Sequence, residues 1–237
     1  MGTLYIVATP IGNLKDITLR AIEILATVDY IACEDTRHTG NLLKILPISN
    51  TTNTTNISMK KPHLISYFEQ NELQRIPEII TLLQNGHDVA LVSDAGTPTI
   101  SDPGFKLVRE CIVHAIKVES IPGPSSVIAA LTVSGLPTDK FLFVGYPPKK
   151  QGHRKKLFKS FTSILYIIKV TIILLEAPHR LVKTLEEVQN AIGNIDIVIC
   201  RELTKVHEEI RREKISESLE RFKKVNPKGE FVILFHL

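Results

Sequence analysis

The stretch Ser93-Asp94-Ala95-Gly96-Thr97-Pro98-Thr99-Ile100-Ser101-Asp102-Pro103-Gly104 joins the side chains of a ligand site to the backbone of a rigid loop. Gly96 and Gly104 permit positive φ and close backbone approach, while Pro98 and Pro103 stiffen the path between them. Asp94 has two readings of equal weight, as an acceptor for a hydroxylated or cationic ligand or as a brace for its own loop. Asp102 followed by Pro103 reads first as a helix N-cap with proline at the first helical position. A second set, Glu34-Asp35-Thr36-Arg37, offers carboxylates that can take a proton and a guanidinium that can hold a phosphate. A helix cap with a solvated ion pair is its plainer reading. Pro122-Gly123-Pro124-Ser125-Ser126 presents hydroxyl and backbone donors at the mouth of a helix, where N-capping competes. Thr9-Pro10-Ile11-Gly12-Asn13-Leu14 is neither GxGxxG nor a P-loop, so the usual nucleotide fingerprints are absent. Further on, Glu176, Arg201, Glu202 and Lys205 stand unranked between chemistry and salt bridges linking two lobes.

Each of these clusters follows a short apolar run. The runs at 3–8, 28–33, 63–67, 88–92 and 116–121 in the first half, and at 141–146, 170–175, 195–200 and 231–235 in the second, read as strands. Helical spacing begins near Asp16 or Thr18, recurs from about Glu69 to a stop at Gly86, and returns at 105–113 and 127–134. Strands alternating with helices predict an α/β fold, in which ligands sit at the carboxyl ends of strands. Decorated strand ends in both halves predict two α/β domains, 1–120 and 121–237, facing each other across a cleft. The Thr/Asn-rich segment at 50–61 reads as a mobile surface loop.

The chain has 237 residues, 43% hydrophobic and 23% charged, as in a soluble globular protein. No apolar run approaches the roughly 20 residues that span a bilayer, and the start leads straight into a strand pattern, so a cytoplasmic protein is expected. Cys33, Cys111 and Cys200 lie in apolar context without CxxC spacing, which predicts reduced core thiols and no metal site. Residues 1–120 hold 10 basic and 13 acidic side chains and residues 121–237 hold 19 and 12, giving −3 and +7. The basic half is expected to meet a polyanion, with Lys149, Lys150, Arg154 and Lys155 as the candidate contacts; a solvated linker is the alternative.

Taken together, Thr9-Pro10-Ile11-Gly12-Asn13-Leu14, Glu34-Asp35-Thr36-Arg37, the Asp94 loop, Pro122-Gly123-Pro124-Ser125, Glu176-Ala177-Pro178-His179-Arg180 and Arg201-Glu202-Leu203-Thr204-Lys205 resemble the tetrapyrrole methylase superfamily. The likeness runs from about Leu4 to Phe235. It implies a two-lobed fold of the class III S-adenosylmethionine-dependent methyltransferases, each lobe a sheet flanked by helices, with the cofactor in the interlobe cleft. Within the superfamily the chain is similar to the branch that methylates a cytidine ribose 2′-oxygen in small-subunit (16S) ribosomal RNA, which also implies a homodimer. By motif, Pro10, Asp94, Gly96, Thr97, Ser125, Ser126, Ala177 and Leu203 would line the cofactor pocket. Glu34, Asp35 and Arg37 would face the reacting sugar. Phe68 and Gln70 stand where the family more often has histidines, so neither histidine can be essential. A tetrapyrrole or a protein side chain is the alternative acceptor, and a non-catalytic ribosome-assembly module is the reading from another class.

Overall fold

The computed structural model describes residues 1–46 and 61–236, without the side chains of 163–167. The Thr/Asn-rich segment read as a loop lies, apart from Lys61, outside the described residues. Two compact units are present, Met1–Ser125 and Ser126–Leu237. Among the described residues no helix is long and apolar enough to cross a membrane.

In the first unit, β1 (Thr3–Val7), β2 (Tyr30–Cys33), β3 (His63–Ser66), β4 (Val89–Val92) and β5 (Lys117–Ile121) form one sheet in the order β3-β2-β4-β1-β5. Every neighbouring pair is parallel. Parallel pairing requires a crossover after each strand, supplied by α1 (Leu19–Thr27), α2 (Thr36–Ile45), α3 (Glu72–Gln84) and α4 (Phe105–Val113). Ala21, Ile22 and Leu25 of α1 and Leu42 of α2 pack with Ile31, Cys33, Ala90 and Val92 on one face. Ile79, Ile80 and Leu83 of α3 and Leu107 and Cys111 of α4 pack with Leu4, Ala32, Ile65 and Leu91 on the other. Both faces are covered, which is why the strands read as continuous apolar runs such as Val89-Ala90-Leu91-Val92. Their common direction gathers all five carboxyl ends along one edge. Thr18 caps α1 by accepting from the Ala21 amide, where the sequence predicts a helix start.

The second unit begins with α5 (Ser126–Ser134). Its sheet, from β6 (Phe141–Gly145), β7 (Thr171–Glu176), β8 (Asp196–Arg201), β9 (Glu209–Lys214) and β10 (Phe231–His236), runs in the order β6-β7-β10-β8-β9. Only β6 and β7 are parallel; the other pairs are antiparallel. On one face α6 (Gln151–Ile167), α7 (Pro178–Ile192) and α8 (Ile215–Lys224) close a core in which Phe158, Phe161, Phe222, Phe231 and Phe235 pack with Leu181, Leu185 and Ile233. Burying each such ring stabilises the fold by about 1.5–3 kcal/mol. β9 has no counterpart among the predicted strands. It is a charged edge strand, Glu-Ile-Arg-Arg-Glu-Lys, and it lacks the apolar pattern that marks a buried one.

Candidate active site

The Asp94 loop leaves β4 at Ser93 and is held in a strained path. Gly96 and Gly104 have φ of +88° and +128°, and two residues with side chains, Thr99 and Ser101, sit at +73° and +64°. Left-handed residues of that kind cost on the order of 1–3 kcal/mol each, so the surroundings must enforce them. The Thr9 and Gly96 backbones exchange hydrogen bonds of 2.9 and 3.0 Å. The Thr9 hydroxyl donates to the Ser93 carbonyl at 3.1 Å, and the Thr97 hydroxyl to the Pro124 carbonyl at 3.0 Å. The loops after β1, β4 and β5 are thereby stitched together. A side chain at Gly104 would force Leu91 to shift, because a Cβ there would lie 2.5 Å from Leu91 Cδ2.

Sequence reasoning placed Asp102 at the N-cap of α4, and the structure corrects this. Gly104 takes that position, and Asp102 turns instead toward the ends of β2 and β4. Burial pushes its carboxyl up to about 6, the Ser93 hydroxyl lowers it, and neighbouring Asp94 raises it further. Glu34, just past β2, is pushed up to about 7 by burial and then by Asp102 and Asp94. β2 and β4 are adjacent in the sheet, and that adjacency brings the three carboxyls together. None of the three has a cationic partner among the described residues. Asp94 also accepts from the Asp35 amide at 3.3 Å.

Asp35 and Arg37 fill the plainer role weighed for them. Asp35 caps α2, its Oδ1 accepting from the Arg37 amide at 2.8 Å, while Oδ2 meets the Arg37 guanidinium at 2.8 Å. Those hydrogen bonds hold its carboxyl well below the usual range. Arg37 keeps 88% of its side chain exposed, so the pair sits at the surface. Pro10 is buried, and Ser125 and Ser126 are half-buried beside the stitched loops. Thr9 opens one of the six motifs but is not among the site residues expected from them; its structural role, bonding to both Ser93 and Gly96, is what the motif alone does not show. All three cysteines are free and buried, and burial pushes each thiol up. Among the described residues no His, Cys, Asp and Glu group is arranged to hold a metal ion.

In the second unit, Glu176, Arg201, Glu202 and Lys205 all pair within that unit. Buried Glu176 accepts from the Ala177 amide at 3.0 Å and from Thr184, and meets Arg180 at 3.3 Å. Glu202 accepts from the Glu230 amide at 2.9 Å and from Lys205 at 3.0 Å, and Arg201 lies 3.6 Å from Glu209. Leu203 is buried between Glu202 and Thr204, both left-handed with φ of +50° and +64°. The basic run is not a linker, because from Gln151 onward it is α6. Lys149, Lys150 and Lys155 are exposed, but Arg154 is not. Its side chain is 5% exposed and forks onto Glu187 at 2.5 and 2.9 Å, and it also donates to the Pro148 and Lys149 carbonyls. A guanidinium so committed cannot grip RNA, and Arg154 leaves the predicted RNA-contacting set.

Residues 3–218 match the family model for tetrapyrrole (corrin/porphyrin) methylases. The chain is 47% identical over 234 residues to a Hydrogenobaculum protein named ribosomal RNA small subunit methyltransferase I, covering 98% of this chain and 94% of that one. A Thermotoga maritima protein of the same name is 44% identical, over 99% and 98% of the two chains. A solved uroporphyrin-III C-methyltransferase from Thermus thermophilus, complexed with S-adenosylhomocysteine, shares the fold with a TM-score of 0.64 at 17% identity, over 98% of this chain and 97% of that one.

Proposed function

The chain belongs to the tetrapyrrole methylase family, and we propose that it is an S-adenosylmethionine-dependent methyltransferase acting on a cytidine ribose 2′-oxygen of small-subunit ribosomal RNA. One observation carries the choice of acceptor. The relatives matched from end to end at high identity are named for ribosomal RNA, whereas the tetrapyrrole enzyme is alike in fold alone. A tetrapyrrole or a protein side chain is therefore not favoured as acceptor.

The residues present fit the donor. A sulfonium and an ammonium call for acceptors without competing cations, and Glu34, Asp94 and Asp102 are such a group at the loop that turns at Gly96. Asp94, Gly96, Thr97, Pro10, Ser125 and Ser126 would hold the donor, with Ala177 and Leu203 as proposed contacts from the second unit. When bound, the donor supplies an electrophilic methyl group. The chain's own task is to align a ribose hydroxyl and take its proton. We assign that proton to Glu34, whose value near 7 suits an acceptor working at neutral pH. Asp35 is the weaker base because its hydrogen bonds to Arg37 and to the α2 backbone favour the ionised form. Arg37, at the surface, would meet a flanking phosphate, and Lys149, Lys150 and Lys155 would hold other phosphates of the RNA. We further propose a cytoplasmic homodimer.

The test is transfer of labelled methyl from S-adenosylmethionine to undermethylated small subunits, followed by mapping. Label on a cytidine 2′-oxygen is the expected result. Label on a base or a protein, or transfer only to a tetrapyrrole offered in parallel, would overturn the assignment.

A further inference from the structure

The second sheet ends beside a cavity of about 630 Å³ that the proposed chemistry leaves unused. It is walled by the last turn of α8, the connection at 225–228, the start of β10 and the strand ends at Arg201 and Glu209. Four cations, Arg201, Arg221, Lys224 and Lys228, line it against one carboxylate, Glu209. Arg201 and Arg221 approach Glu209 at 3.6 and 3.5 Å. Lys224 and Lys228 are exposed and meet no carboxylate among the described residues. Part of this positive charge offsets the carbonyl end of α8. Lys228 and Arg201 lie on other elements and are not accounted for in that way.

Arg221 is fixed in place. Its Cζ lies 4.3 Å over the Phe222 ring, and Nη2 meets Glu213 at 2.8 Å. Its Nε is buried without a hydrogen-bond partner among the described residues. An N–H left so is costly and leaves the guanidinium charge under-compensated, so an anion at its exposed edge is favoured. The wall is rigid as well. Arg201 Nε donates to the Lys228 carbonyl at 2.7 Å, and the Glu202 and Glu230 backbones are joined at 3.0 Å. Gly229, at φ +92°, lies so close that a Cβ on it would fall 2.6 Å from Glu202 Cγ. The wall bearing Lys228 is thus tied directly to the turn that holds Leu203.

The geometry points to a binding site for an RNA backbone phosphate in this cavity, gripped by Lys224, Lys228 and the guanidinium edges of Arg201 and Arg221. A planar guanidinium suits phosphate, and the mobile lysines add charge without demanding one geometry. The inference rests on the ribosomal RNA reading and deepens it, by giving the second unit a grip on the substrate besides Lys149, Lys150 and Lys155.

The experiment measures binding of transcribed small-subunit ribosomal RNA to the full chain across a salt series, for the wild type and for Lys224→Gln/Lys228→Gln. These lysines are exposed, so the melting curve should not move. The variant should bind about tenfold more weakly and lower the slope of log affinity against log salt by about 1 to 2. In methyl transfer its KM for RNA should rise while kcat stays level. An equal loss in Lys44→Gln/Lys117→Gln, which removes the same charge elsewhere, would overturn the site, as would unchanged affinity and slope. Displacement of the RNA by inorganic phosphate at matched ionic strength would mark a free-phosphate site and also overturn it. If the wild type binds no RNA, the ribosomal RNA reading falls and takes this one with it; if the wild type binds and the variant matches it, only this one falls.

Discussion

At the carboxyl edge of the first sheet, Glu34, Asp94 and Asp102 meet without a cation among the described residues, and the loop that carries Asp94 and Asp102 holds Thr99 and Ser101 in left-handed conformations. In the second unit, Arg154 and Glu187 close a buried fork at 2.5 and 2.9 Å, and Glu176 is met by Arg180, Thr184 and the Ala177 amide. Unbalanced carboxyls on a strained backbone lower stability, and folds keep such arrangements where a ligand or a reaction uses them. Balanced buried pairs do a different job. Arg154 bonds the Pro148 and Lys149 carbonyls, so the pair sets the path of the chain that presents the exposed lysines.

The contrast can be broken by substitutions that should move stability in one unit and activity in the other. The largest effect is expected from Glu187→Ala, which strands a buried guanidinium and should cost about 3–5 kcal/mol in urea unfolding. Arg154→Met/Glu187→Leu should recover most of that loss, because it removes both charges and keeps the packing. Glu34→Gln should lower kcat/KM for methyl transfer by about 10²- to 10³-fold, with no loss of stability. Its pH signature has a definite sign. The folded state holds the Glu34 proton from the ordinary 4.5 up to about 7, so the stability this group contributes is present at low pH and lost as pH rises through that window. Activity that needs the carboxylate should rise through the same window, and Glu34→Gln should flatten both curves. Gly104→Ala should cost about 1–3 kcal/mol, since the new methyl meets Leu91 and the backbone is left-handed. Arg37→Ala should move the melting curve least, because its partner is an exposed neighbour, while weakening RNA binding.

How far such contrasts can be read from sequence depends on what marks each element. The first sheet is legible because parallel strands buried on both faces read as apolar runs, and the glycine- and proline-rich loops punctuate them. β9 is not legible, because Glu209, Arg211 and Glu213 neutralise one another and Arg221 across an edge, and charge pairing leaves no apolar period. Arg154 reads from sequence as one of a basic run, although Arg154, Phe158 and Phe161 share the spacing of one buried helix face. Asp102 and Pro103 carry the wording of a cap, but Gly104 alone fits against Leu91 and so takes that place. That Glu34 and Asp94 would meet follows from β2 and β4 being neighbours, which is a property of strand order and not of either motif.

The most direct test of the account is calorimetry of S-adenosylmethionine binding at pH 6.5, in buffers of differing ionisation enthalpy, for the wild type and Asp94→Asn. The cationic donor should bind the wild type with release of protons held by Glu34 and Asp102, S-adenosylhomocysteine should release fewer, and Asp94→Asn should bind at least about tenfold more weakly. Binding by Asp94→Asn equal to the wild type, with no proton release in either protein, would contradict the claim that these carboxyls form the donor site.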